Sequence, residues 1–152
     1  MILRKAKMTD LPALVKIEDR SFSAPWSEQG MRDALDTEAI CTLVAEEDGA
    51  LLGYIMIALL GIEAEIYNVA VDPDARRQGL GRKLLCAAMH EAVNTGAETV
   101  FLEVRESNEP AKGLYASYGF IPVGKRKNYY TNPTEDAILM AYTVERDGEE
   151  TR

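Results

Sequence analysis

The chain has 152 residues, 47% of them hydrophobic and 28% charged, enough for one domain with its own core and too few for a second of ordinary size. Its formal charge of −8, from 25 acidic against 17 basic residues, excludes a nucleic-acid scaffold, which needs clustered surplus Lys and Arg, and suits a cationic partner better. The longest nearly apolar run, residues 50–62, is too short to cross a bilayer, and no basic start, apolar run and cleavage site opens the chain, so a cytoplasmic protein without a membrane partner is expected.

In chain order, residues 2–6 alternate as a short strand. Thr9-Asp10-Leu11-Pro12 offers a capping side chain and a first-turn proline for a helix to about Ser21, with Leu11, Leu14, Val15 and Glu18 at helical spacing. Ser23-Ala24-Pro25-Trp26-Ser27 interrupts that pattern, and Ser27 is placed to cap a second, short helix. Strands at residues 41–46 and 51–60 flank Glu47-Asp48-Gly49-Ala50, whose Asp-Gly pair is a hairpin signal. A third strand, Glu63–Val71, joins them. Then come a helix from about Gly79, a strand at 100–105, a helix capped by Asn108, and strands at 121–127 and 137–144. Gly119 is expected to end the second of these helices in a left-handed turn. Residues 1–146 read as one domain and 147–152 as a polar tail, with no internal repeat and no low-complexity stretch.

An antiparallel hairpin region feeding a β-α-β unit gives an α/β (α+β) domain, a mixed sheet with helices on its faces. Cys41 and Cys86 lack the spacing of a metal knuckle or redox pair, so both are expected reduced and buried. His90, the single histidine, lies opposite the apolar stripe of its helix, which leaves no centre for a histidine-based triad or metal site. No metal is expected.

The most informative segment is Val69-Ala70-Val71-Asp72-Pro73-Asp74-Ala75-Arg76-Arg77-Gln78-Gly79-Leu80-Gly81-Arg82, where an apolar strand runs into a glycine-punctuated helix start. Unpaired N–H groups and the positive end of the dipole favour phosphate oxygens there. Leu80, Leu84, Leu85, Ala88 and Ala92 form the stripe that anchors this turn. Neither Gly-Lys-Ser/Thr nor Gly-x-Gly-x-x-Gly follows, which removes the nucleotide-binding loops from consideration. The residues alone leave open an anion site or a plain turn with solvated arginines.

Arg76-x-x-Gly79-x-Gly81 after a Val-x-Val-x-Pro strand resembles the pyrophosphate loop of the GNAT N-acetyltransferase family, and the order of elements agrees along nearly the whole chain. Ala24-Pro25-Trp26-Ser27-Glu28, Leu102-Glu103-Val104-Arg105-Glu106-Ser107-Asn108, Leu114-Tyr115-x-x-Tyr118-Gly119-Phe120 and Asn128-Tyr129-Tyr130 with Glu135-Asp136-Ala137 resemble its RimI-type branch, the ribosomal-protein alanine N-acetyltransferases. The resemblance implies a mixed, mostly antiparallel sheet of six to seven strands flanked by about four helices, with acetyl-CoA as co-substrate. It implies that Arg76, Arg77, Gln78, Gly79, Leu80, Gly81 and Arg82 hold the CoA pyrophosphate. Val69, Ala70 and Val71 then offer backbone groups to the pantetheine arm, and Asn108 contacts the co-substrate.

The same resemblance makes Glu103 the general base, directly or through water, and Tyr115 the general acid beside the CoA sulfur. Trp26, Tyr129 and Tyr130 line the peptide groove, with Glu63, Glu65 and Asp136 lending negative potential. Each residue also has a plainer reading: Glu103 as an Arg-paired strand carboxylate, Tyr115 as core, Trp26 as a plug between helices, the other carboxylates as solvated. The implied acceptor is the N-terminal alanine of a small-subunit ribosomal protein, and the implied state a monomer or weak dimer without nucleic acid. Alternatives are a broader N-terminal or small-amine acetyltransferase, a non-catalytic acyl-CoA sensor, and a protein-interaction module.

Acyl transfer to an amine needs a neutral nucleophile, a stabilised oxyanion and a proton for the departing thiolate. With pKa values of about 8 and 10.4, an α-amine offers roughly 300-fold more neutral form than a lysine near pH 7. Terminal amines are the easier target.

Overall fold

The computed structural model describes residues 1–23 and 25–145; the tail expected at 147–152 lies outside them. Seven strands form one sheet: β1 (Ile2–Lys5), β2 (Ile40–Glu47), β3 (Ala50–Leu60), β4 (Glu63–Val71), β5 (Thr99–Arg105), β6 (Ile121–Tyr130) and β7 (Glu135–Thr143). They lie side by side in the order β1-β2-β3-β4-β5-β7-β6. Every neighbouring pair is antiparallel except β4 with β5, whose connection passes through a helix as parallel pairing requires. The mixed, mostly antiparallel sheet is the one expected.

Among the described residues four α-helices cover the sheet: α1 (Leu11–Ser21), α2 (Glu28–Asp36), α3 (Leu80–Asn94) and α4 (Glu109–Tyr118). Alternation along the strands divides the core in two. Val44, Tyr54, Met56 and Ala70 pack with Leu11, Leu14 and Ile17 of α1 and Met31 and Ala34 of α2. Leu43, Ile55, Ile57 and Ile66 pack on the other face with Leu80, Leu84, Leu85, Ala88 and Ala92 of α3 and Tyr115 of α4. The stripe read from the sequence is thus the buried face of α3. Central strand β3 is buried on both faces from Gly53 to Ala58, which is why it reads as an unbroken apolar run.

Asp48 and Gly49 take positive φ in the β2–β3 hairpin, and Ser27 caps α2 by accepting from the Gly30 amide at 3.0 Å. Gly119, at φ 128°, ends α4. The structure departs from expectation at four places. The start of α1 has no side-chain cap, because the Asp10 carboxylate turns back to the Lys7 amide at 2.7 Å and to Arg4 at 2.9 and 3.0 Å. Ile17, rather than Val15, completes the buried face of that helix. Cys86 is exposed and Cys41 only half-buried, since Cys86 falls outside the arc of α3 that Leu84, Leu85 and Ala88 turn to the sheet. Strand β6 runs on to Tyr130, past the expected 127; it is an edge strand exposed from Ile121 to Tyr129, so polarity carried no signal for its end. His90 is exposed, as expected.

Candidate active site

Parallel pairing of β4 with β5 begins at Glu63 and Thr99 and ends at Ile66 and Leu102, although β4 continues to Val71 and β5 to Arg105. Beyond that point the two strands part. A cavity of about 360 Å³ occupies the opening, lined by Glu18, Phe22 and Trp26 from the α1–α2 side, by Ile66 to Val69 and Glu103 to Arg105 from the parted strands, and by Asn108, Ala111 and Tyr115 from the α4 side. The cavity is therefore walled by residues from both faces of the sheet.

A bulge shapes its β4 wall. Met56 faces Asn68 and Ile57 faces Ile66, so Tyr67 is an extra residue that switches the side-chain alternation. Ile66 and Val69 consequently belong to the same core cluster, whereas Asn68 and Ala70 turn to α1. Tyr67 is left exposed, 6.5 Å from Trp26 between ring centres and tilted 48° to it.

On β5, Val100, Leu102 and Val104 pack toward α3, which places Phe101, Glu103 and Arg105 on the α1 face. Tyr129 Oη donates to Glu103 Oε1 at 3.3 Å. Arg126 Nε stands 2.8 Å from Oε2, yet its N–H is not aimed at that oxygen, so the contact is an ion pair and the buried Oε2 has no hydrogen-bond donor. The arginine beside Glu103 is thus Arg126 of β6; Arg105 instead pairs with Glu135 at 3.2 Å. Glu65 belongs to the same charged group: burial, then the charge of Glu103, push its carboxyl above the usual range, while Arg126 pulls the other way.

Arg105 also holds the β6–β7 turn over the cavity. It donates to the Thr131 and Pro133 carbonyls at 2.6 and 2.9 Å and lies 4.6 Å from the Tyr130 ring centre. Ser23 Oγ reaches across from the α1–α2 connection to donate to the Asn132 carbonyl at 2.7 Å. Tyr129 and Tyr130 meet edge to face at 5.1 Å. Burial, assisted by Glu103, pushes the Tyr130 phenol up to about 12.

On the opposite face stand Asn108 and Tyr115. Asn108 Oδ1 caps α4 by accepting from the Ala111 amide at 3.2 Å, which leaves its amide nitrogen as the group that can serve a ligand. Tyr115 is 5% exposed and packs edge-on against Phe120 at 5.9 Å. Burial, and secondarily Tyr130, hold its phenol well above the ordinary tyrosine value.

The glycine turn is seated between these elements. Arg77 and Gly79 have φ of 67° and 73°, and Gly79 caps α3 without a side-chain acceptor, so the N–H groups of the first turn are not satisfied by a cap. Buried Ala75 and Leu80 anchor the two ends. Arg76 Nε donates to the Val71 carbonyl at 3.1 Å, and Arg82 Nη1 donates to Ser117 of α4 at 2.9 Å. Arg77 and Gln78 are exposed. A diphosphate fits this seat, which combines uncapped amides, two left-handed residues and exposed cations.

The structure brings Trp26, Val69, Glu103, Asn108, Tyr115, Tyr129 and Tyr130 to one cavity. Glu63 stands apart: it is exposed at the far end of β4, in register with Thr99. Ala70 and Val71 follow the bulge, with Ala70 in the core under α1. Tyr54, Tyr67, Asn68 and Arg126 carry no local sequence signal that points to the site, and Glu18 stands out in the sequence only as part of a helical stripe. No histidine, cysteine or carboxylate group among the described residues is arranged to hold a metal, and no described helix is long and apolar enough to cross a membrane.

Against known proteins, the model of the acetyltransferase (GNAT) family matches residues 11–120. The chain is 41% identical over 138 residues to the Escherichia coli (strain K12) protein named [ribosomal protein bS18]-alanine N-acetyltransferase, with 90% of this chain and 93% of that protein covered. The crystal structure of the ribosomal-protein-S18-alanine N-acetyltransferase from Escherichia coli superposes with a TM-score of 0.90 at 39% identity, covering 97% of this chain and 96% of that one. Ard1 from Thermoplasma volcanium gives a TM-score of 0.86 at 26% identity, with 95% and 98% covered.

Proposed function

The chain belongs to the acetyltransferase (GNAT) family, and from that premise we propose that it moves the acetyl group of acetyl-CoA onto the N-terminal α-amine of a protein, the alanine of the small-subunit ribosomal protein bS18. The observation that carries this reading is the hole between β4 and β5, with Glu103 on one face of the sheet and Tyr115 on the other. An amine entering from the α1 face and a thioester entering from the α4 face meet where the strands have parted.

In that arrangement the first-turn amides of α3, with Arg77 and Arg82, bind the diphosphate, and Asn108 donates its side-chain amide to the pantetheine arm. The backbone of Val69 to Val71, on the β4 edge that β5 has left, orients the acetyl carbonyl. Glu103 accepts a proton from the acceptor nitrogen, directly or through water, as the N–C bond forms. The C–S bond breaks and Tyr115 gives its proton to the departing sulfur. Burial that raises the phenol raises the basicity of a thiolate in the same place, so donor and acceptor remain matched. The aromatic walls of Trp26, Tyr67, Tyr129 and Tyr130 suit an extended peptide, and the carboxylates near the opening suit its positive terminus.

In this reading the enzyme is a cytoplasmic monomer or weak dimer with residues 1–146 as its one domain, and it needs neither metal, nucleic acid nor membrane. Mass spectrometry of ribosomal-protein termini from cells with and without the enzyme tests the acceptor. The acetyl group on bS18 is expected to vanish with the enzyme; an unchanged bS18 terminus overturns the assignment.

A further inference from the structure

Glu18 has no part in the chemistry above, yet the residue is only 1% exposed and belongs to the cavity wall. Its helix neighbours Leu14 and Ile17 are core residues, and a carboxylate there is costly unless its acceptors are filled. Three elements fill them. Oε2 accepts the backbone N–H of Trp26 at 2.9 Å, in the α1–α2 connection. Oε1 accepts the side-chain amide of Asn68 at 2.6 Å, from β4, and the phenol of Tyr54, from β3. The Asn68 amide also donates to Tyr54 Oη at 2.9 Å.

Asn68 reaches this carboxylate because the bulge at Tyr67 turns it to the α1 face. The bulge residue is itself the ring that meets Trp26. One buried carboxylate thus clasps both sides of the Trp26–Tyr67 pair: the backbone of the first partner and the residue after the second.

We infer that Glu18 is a positioning residue for the acceptor, holding Trp26 and the bulged Tyr67–Asn68 segment as one preshaped wall against which the first residues of the incoming peptide lie. This rests on the reading of the cavity as an acceptor groove. The role requires two acceptor oxygens. A glutamine of nearly the same shape has one, so its NH2 opposes either the Trp26 N–H or the Asn68 amide. Glu18 acts on the acceptor through Trp26 and leaves the proton transfers to other residues.

Trp26 is the single tryptophan of the chain, so its fluorescence reports the clasp without reference to activity. In Glu18→Gln, acrylamide quenching of the indole is expected to rise and its anisotropy to fall while far-UV circular dichroism stays that of the wild type. In steady state the KM for an Ala-starting peptide rises about tenfold, the loss expected for one hydrogen bond to a charged group, while kcat and the KM for acetyl-CoA hold. In a Trp26→Ala background the Glu18→Gln change raises the peptide KM by clearly less than it does in the wild type, as coupled residues require. Should Glu18→Gln fail to fold, Asn68→Ala removes one donor to the same carboxylate and produces a smaller shift in the same two readouts. Quenching and peptide KM both unchanged in a folded Glu18→Gln protein overturn the inference, as does a full additional effect in the Trp26→Ala background. Wild-type protein that acetylates no peptide overturns the acceptor reading instead, and the indole measurement still decides the clasp.

Discussion

Ile66 of β4 and Leu102 of β5 are the last partners in the parallel pairing of those strands, and the opening beyond them is the cavity that Glu103 and Tyr115 share. Two strands that stayed paired to their ends would seal the sheet and leave Glu103 and Tyr115 on opposite faces of a wall. Their parting opens that wall, and in the proposed function each face supplies one reactant. The bulge at Tyr67 lies immediately beyond the last pair and turns Asn68 away from α3.

Replacing Glu103 by Gln removes the proposed proton acceptor with little change in shape. Near pH 7, kcat/KM with an Ala-starting peptide is expected to fall about 100-fold, within the usual range for a general base. The deficit narrows as pH rises past about 8, where the α-amine is already neutral. Rate profiles against pH for the two proteins check this; an equal deficit at every pH removes Glu103 from the proton transfer.

Tyr115→Phe withdraws the proton offered to sulfur and leaves the ring packed on Phe120. Turnover should drop about 100-fold, with the KM for acetyl-CoA unchanged. The phenol is held above its ordinary value, so it is protonated throughout the physiological range and the wild-type rate shows no loss from Tyr115 ionisation as pH climbs to 9. Initial rates with acetyl-CoA varied at saturating peptide decide the matter, and unchanged turnover returns Tyr115 to the core.

Local chemistry was legible in the chain and long-range geometry was not. Ser27 and Asn108 announced two helix starts because a side-chain cap acts on amides two or three residues away, and Gly79 announced a third because glycine tolerates the left-handed φ found there. The stripe Leu80, Leu84, Leu85, Ala88, Ala92 announced the buried face of α3 because helical periodicity is itself local. Glu103 and Tyr115 were reached through resemblance, and their convergence depends on where β4 and β5 cease to pair, which no single segment encodes. The extra residue Tyr67 leaves no mark in a run such as Glu63–Val71, where either register of alternation satisfies some of the side chains. Without that bulge Asn68 points away from α1 and the Glu18 clasp is invisible. Arg126 beside Glu103 follows from the pairing of edge strand β6 with β7, and Glu63, implied by resemblance, lies at the far end of β4 from the cavity.

Gly79 sits at φ 73°, where an L-residue costs about 1–2 kcal/mol. A Cβ there meets no atom within 4 Å, so the cost of Gly79→Ala is conformational rather than steric. Relaxing it tilts the first-turn amides of α3, and the KM for acetyl-CoA should rise several-fold while that for peptide stays constant. Calorimetric titration with CoA checks the loop directly; unchanged CoA affinity separates the turn from diphosphate binding.

The buried end of α1 carries a pH signature. The Arg4 guanidinium, aided by the Lys7 amide, holds the Asp10 carboxyl below its usual range against the opposing effect of burial. A carboxyl depressed in the folded state stabilises above its unfolded value of about 3.9, and this is lost as pH falls through the lower folded value. Asp10→Asn should therefore lower Tm by about 2–4 °C near neutral pH, a shift common for a domain of this size. The two melting curves converge on acidification below pH about 4. A gap of constant size at every pH would show that Arg4 and Asp10 contribute through packing alone.

The most direct single measurement is the position of the acetyl group on a peptide that carries both an N-terminal alanine and an internal lysine, after reaction with acetyl-CoA and the purified protein, with released thiol counted alongside. The account predicts acetyl on the α-amine only, one thiol for each. Acetyl on the lysine, or no thiol released, would contradict it.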